Sequence, residues 1–193
     1  MGSVAQAIDG RVTRGQRNRE AIVDALLACY EAGILRPSVH EVAARAGVSA
    51  RSVHNHFEDV EALRAEVAQR QSERFAPLFE RLPAGMTNAQ RVAETVARRS
   101  EAFEAIMTIR RAALLSLPDS PTIAANLARL DRSLRRQLDD TFPDLDADTL
   151  HALDATLSWD TWNRLRAAQG CSIARARRVL ERMVTALLEG SNQ

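Results

Sequence analysis

At 193 residues the chain is long enough to bury a sizeable core, either as one domain or as a small domain joined to a larger one. Its 46% hydrophobic and 26% charged residues, with only 8 Gly and 6 Pro, are the make-up of a soluble globular protein that favours helices. No 18 apolar residues run together and MGSVAQAIDG lacks the order of a signal peptide, so no membrane partner and a cytoplasmic location are expected. The net charge of +1 conceals a small asymmetry: residues 1–57 hold seven Arg against five acids (+2), and residues 58–193 hold 19 Arg against 20 acids (−1). From Gly10 to Arg19, Arg11, Arg14, Arg17 and Arg19 occur with no acid. A phosphate-seeking arm has that make-up, and so does a solvated helix start. Cys29 and Cys171, far apart, read as reduced thiols packed like small apolar residues.

Ile22, Ala25, Leu26, Cys29 and Tyr30 fall at helical spacing, which predicts a first helix over Arg14–Ala32, ended by Gly33 and followed by Pro37. Ser38-Val39-His40-Glu41 is a capping box and opens a second helix with Val39, Val42, Ala43 and Ala46 inward, stopped at Gly47. Ser49 then caps a third helix from Ala50 to about His56, whose Val53 and Phe57 face the first two. A long amphipathic helix is predicted over Asp59–Leu82, kinked at Pro77. Beyond Pro83-Ala84-Gly85 helices are predicted over Asn88–Leu117, in one piece or two, from Pro121 to about Asp140, over Asp146–Gln169 and over Ser172–Glu189. With no strand signal, the expected fold class is all-α, about nine helices in all. The expected organisation is a flexible basic arm (1–13), a three-helix head (14–57) and a larger helical domain (58–193).

The stretch His40-Glu41-Val42-Ala43-Ala44-Arg45-Ala46-Gly47-Val48-Ser49 meets the physical demands of a helix-turn-helix. Ala43 allows close helix approach, Gly47 makes the turn without steric cost, Val48 plugs the core and Ser49 starts the reading helix. Followed by Val53-His54-Asn55-His56-Phe57, it resembles the tetracycline-repressor (TetR) family of bacterial transcriptional regulators, most closely from about Arg14 to Leu63. A looser likeness lies in Leu157-Ser158-Trp159-Asp160-Thr161-Trp162 and the final helix.

The resemblance implies that Ala50–Asn55 lies in the major groove of operator DNA while the second helix crosses the backbone. Arg51 is then the base reader, able to bond guanine O6 and N7 in bidentate fashion, while Ser38 and Ser49 hold phosphates at helix N-termini. Ser52, His54, Asn55 and His56 complete the surface, with Arg14 from the arm. The chain departs from the family where a glycine is common (Arg51), where a tyrosine is common (His54) and where a phosphate-binding lysine is frequent (Val60). Thus no relative's operator transfers to it, and the arginine arm is expected to offset a weaker grip near Val60. His54 and His56, two apart on a helix, point to different faces, so no metal site is expected, and no cofactor either. No nucleophile elbow, phosphate loop, zinc-protease motif or dinucleotide fingerprint occurs, so no enzyme is expected.

Phe103, Met107, Leu114, Trp159 and Trp162 either line an apolar ligand pocket or fill a core, with Arg110, Asn126 and Asp160 as candidate polar anchors. A palindromic operator calls for a two-fold protein, so a homodimer is expected, built from Leu150, Leu153 and Leu157 with Ile173, Ala176, Val179, Leu180, Met183, Val184 and Leu187 of the last helix. Three readings stay open: a repressor released by a small apolar effector, a DNA-binding regulator controlled by a protein partner or by nothing, and a helical interaction module that has lost DNA binding.

Overall fold

The computed structural model describes residues 3–191, with side chains from Arg14 onward. Among the described residues every regular element is helical. The chain divides into two compact units: one runs to Gln71 and takes in Thr108–Asn126, and the other comprises Ser72–Met107 and the chain from Leu127 onward.

In the first unit, α1 (Ser3–Glu31) begins well before the expected Arg14, so residues expected in a flexible arm are its opening turns. The side chain of Arg11 lies outside the described residues. Ile22, Val23, Leu26, Cys29 and Tyr30 of α1 are buried. They meet Val42 and Ala43 of α2 (Val39–Ala46), Val53 of α3 (Ala50–His56), Phe57, and Leu63 and Val67 of α4 (Val60–Phe75) in one apolar cluster. Ala112 of α6 (Met107–Ser116) completes it. Each fully buried aliphatic side chain contributes about 1.5–3 kcal/mol relative to exposure. Pro77, expected to kink a longer helix, instead lies in a 3-10 turn, Ala76–Phe79, because a ring without an N–H cannot continue the α-helical ladder after Phe75.

The same unit is laced by arginines. Arg45 donates to the Ala28 carbonyl at 2.9 Å, Arg70 pairs with Asp24, and Arg36 donates to the Leu115 carbonyl. Arg64 pairs with Glu61 at 2.6 Å and reaches the Ser116 hydroxyl at 3.4 Å. Ser120 accepts from the Ile123 amide at 3.1 Å at the start of α7 (Pro121–Thr141) and donates to Glu61.

In the second unit, Thr87 and Gln90 form a capping box that opens α5 (Asn88–Ala105). The expected Asn88–Leu117 segment is two helices, α5 and α6, parted at Ile106. The expected Asp146–Gln169 helix is also divided. α8 (Ala147–Thr156) stops, Ser158 caps α9 (Trp159–Asn163) by accepting from the Thr161 amide, and Arg164–Ala168 follows as a π-helical turn. Val92, Val96 and Phe103 of α5, Leu134 and Leu138 of α7, Leu153 and Leu157, Trp159 and Trp162 form the core. α10 (Ile173–Gly190) closes it with Ala176, Leu180, Val184 and Leu188, one turn apart each. Glu104 accepts from the Trp162 indole at 2.9 Å and from Arg166 at 2.7 Å, tying α5 to α9 and the π turn.

Candidate nucleic-acid interface

Two polar caps and one glycine set the geometry of α2 and α3. At α2 the Ser38 hydroxyl accepts from the Glu41 amide at 3.3 Å, and the Glu41 carboxylate accepts from the Ser38 amide at 2.8 Å. That backbone bond, then the Ser38 hydroxyl, holds the Glu41 carboxyl below its ordinary range. Gly47 takes φ 68° and ψ 28°, the left-handed conformation that a Cβ disfavours, and its N–H returns to the Ala43 and Ala44 carbonyls. Only Val48 separates it from Ser49, whose side chain accepts from the Ser52 amide at 3.1 Å and starts α3.

On α3, Val53 is turned into the core and Phe57, just beyond the helix, is buried with it. Arg51, His54 and Asn55 are exposed, and their i, i+3, i+4 spacing puts them on one outward face. Ser52 is half-buried. Arg14 is exposed on α1.

Four expected members are occupied otherwise. Ala50 is half-buried against the apolar cluster. The His56 ring lies beside α1, where a Cβ on Gly15 would stand 3.9 Å from it. Ser38 and Ser49 spend their side chains on capping, and the Ser38 hydroxyl donates to Glu41 at 2.8 Å.

Sequence reasoning missed Arg19, which it grouped with the phosphate-seeking arginines. Arg19 donates to the His56 carbonyl at 2.8 Å, pairs with Glu66 at 2.8 Å and lies 4.3 Å from the centre of the Phe57 ring. It therefore locks the C-terminal end of α3 to α1 and α4. The signal was present: Arg19 precedes Ile22 by three residues and Leu26 by seven, which places it on the buried face of α1.

No family model and no curated protein matches the chain. Solved structures do. A transcriptional regulator from Rhodococcus sp. Rha1 superposes with a TM-score of 0.70 at 18% identity, covering 93% of this chain and 98% of that one. A TetR-family transcriptional regulator from Streptomyces coelicolor superposes with a TM-score of 0.75 at 18% identity, covering 91% of this chain and 82% of that one. The chain has the TetR fold. The multidrug binding protein EbrR, solved with imidazole, superposes with a TM-score of 0.62 at 22% identity, covering 89% of each chain.

Within this TetR fold the expected pocket residues fall into two groups. Phe103, Trp159 and Trp162 are buried in the core of the second unit, with Met107 partly buried against it. Arg110, Leu114 and Asn126 belong to the first unit, where Leu114 is exposed and Arg110 buried. Asp160 is exposed on α9.

The expected interface is corrected in part. Leu153, Leu157, Ala176 and Leu180 are at most 1% exposed within a single chain, so they have no surface to give a partner. The wide apolar stripe of α10 was read as interface because periodicity marks an apolar face without saying what covers it. Ile173 and Met183 are exposed, and Leu150, Val179 and Leu187 are partly buried. Val179, Met183 and Leu187, spaced i, i+4, i+8, leave an apolar flank beside the buried row.

Proposed function

We propose that this protein is a sequence-specific DNA-binding transcriptional regulator, a homodimeric repressor released from a palindromic operator by a small effector. One observation carries the reading: a seven-residue helix fixed at both ends presents Arg51, His54 and Asn55 together on an outward face. A guanidinium, an imidazole and a carboxamide on one face of a short helix are groups suited to base edges in the major groove. Arg14 on α1 reaches for phosphate, with Ser38 and Ser49 presenting helix N-termini rather than free hydroxyls.

On this reading α1, α2 and α3, essentially residues 14–57, are the DNA-binding head, and the remaining helices serve effector binding and dimerisation. The α10 flank of Val179, Met183 and Leu187, with Leu150 and Ile173, pairs two chains across a two-fold axis. EbrR, of the same fold, has been solved with ethidium as well as imidazole, which supports a small-molecule effector here. Among the described residues no helix is long and apolar enough to cross a membrane, in keeping with a regulator that meets DNA in the cytoplasm.

The test is selection of duplexes from a randomised library by the purified protein, repeated with Arg51→Ala. A regulator enriches a palindrome, and the variant loses preference at one base pair in each half-site. Recovery of no sequence at any salt concentration overturns the assignment and favours an interaction module.

A further inference from the structure

Arg99 is 1% exposed in the core of the second unit, among Val96, Phe103, Leu134, Leu138 and Trp162. Among the described residues no carboxylate forms an ion pair with it. Its Nε donates to Gln137 Oε1 at 3.1 Å, Nη1 to the Leu157 carbonyl at 2.9 Å and Nη2 to the Leu134 carbonyl at 2.6 Å. Burial disfavours its charged form, and the carboxylate of Asp154 on α8 partly offsets that without forming an ion pair. A guanidinium carries five N–H groups, so one on each Nη is left over for a further acceptor such as a carboxylate. One turn back on the same face of α5, Thr95 is also 1% exposed and its Oγ1 has no hydrogen-bond partner among the described residues.

A buried cation without a direct ion pair and a buried hydroxyl without a partner are each costly, and here they lie one turn apart on the buried face of α5. One carboxylate satisfies both, while a hydrocarbon body suits the aromatic and aliphatic surroundings. We propose that the effector is an organic monocarboxylic acid whose carboxylate is held by Arg99 and Thr95 inside the second unit; this rests on the ligand-responsive reading above. Admitting it requires α5 to part from α7 and from the turn after α8, where Arg99 now holds the Leu134 and Leu157 carbonyls. The acid therefore binds an opened state better than the closed one, the differential contact that a shift of equilibrium demands.

The test uses the full chain with phenylacetate, cinnamate and octanoate, each compared with its primary amide, followed by Trp fluorescence, melting temperature and release of operator DNA. The expected result is that at least one acid binds and releases DNA at least about tenfold more effectively than its amide, since the amide leaves the cation uncompensated. Arg99→Gln abolishes that preference. Because Arg99→Gln disturbs packing as well, Thr95→Val is the sharper variant: it keeps shape, melts no lower than the parent, and yet binds the acid several-fold more weakly. A merely structural pair would not separate stability from affinity in this way. Equal binding of acids and amides, or unchanged acid affinity in Thr95→Val, overturns the proposal. If ethidium binds and releases DNA while none of the acids does, the carboxylate proposal falls and the ligand-responsive reading stands. If no compound releases DNA, both fall.

Discussion

The guanidinium of Arg19 lies 4.3 Å from the centre of the Phe57 ring, at the point where α3 gives way to the turn before α4. Phe57 is buried, and the same guanidinium holds the His56 carbonyl and Glu66. α3 is thus fixed from behind by a residue on α1. Arg19→Ala is expected to destabilise the head by about 1–3 kcal/mol, mostly through the lost hydrogen bond and ring contact, since the ion pair is a third exposed. Arg19→Lys recovers only part, because an ammonium lacks the planar fork. Chemical denaturation of the three proteins checks this, with DNA affinity falling alike for all sequences.

Arg51 has the opposite profile. It is exposed on α3, so Arg51→Ala leaves the denaturation midpoint unchanged while costing about 1–3 kcal/mol on the preferred operator. Competition binding against single-base operator variants is the measurement. An unchanged order of preference means that another residue reads the bases.

Acid titration tests the α2 cap. The Glu41 carboxyl lies below its ordinary 4.5 because the Ser38 amide and hydroxyl favour the charged form. A depressed folded value contributes stability that is complete above the unfolded value and is lost as pH falls through the folded one. Glu41→Gln is expected to flatten that part of the stability curve as pH falls below the ordinary carboxyl value, without breaking the box. The chain supplies its own precedent, since Gln90 accepts from the Thr87 amide at 2.9 Å in the box that opens α5. Ser38→Ala removes the hydroxyl half of the box, costs about 0.5–2 kcal/mol, and leaves the backbone amide bond to the Glu41 carboxylate in place. Urea midpoints of the three proteins across that range separate the cases.

Two substitutions one turn apart on α10 distinguish interface from core. Met183 is 41% exposed and Leu180 is 1% exposed. Met183→Glu is expected to give a folded monomer, and Leu180→Glu an unfolded chain. Leu180→Ala should cost about 2–5 kcal/mol as a cavity in the core. Light scattering and circular dichroism together read both outcomes, and a dimer persisting in Met183→Glu removes this flank from the interface.

What the sequence made legible follows the range of the interactions involved. The box at Ser38, the left-handed turn at Gly47 and the cap at Ser49 act within four residues, and all three stand as read. The burial of Val42, Ala43, Val53 and Phe57 was also written in local spacing. The roles of Arg19 and Arg99 were not, because their partners lie 35 to 58 residues away and a charged letter does not announce a buried carbonyl. Ser158 hides its cap inside an otherwise helical run, which is why α8 and α9 read as one helix.

The interleaving of the two units has a consequence for synthesis and for dissection. The chain passes from one unit to the other at residues 71, 107 and 126. The contact of Arg36 with the Leu115 carbonyl closes a separation of 79 residues. The unit that carries α3 cannot therefore be completed on the ribosome until the start of α7 has emerged, well after its first four helices are made. A fragment cut at Gln71 leaves Ile109 and Ala112 off its core and strands Arg64 and Glu61 without Ser116 and Ser120. Grafting this head onto another protein calls for a fusion that carries residues 108–126 back to it.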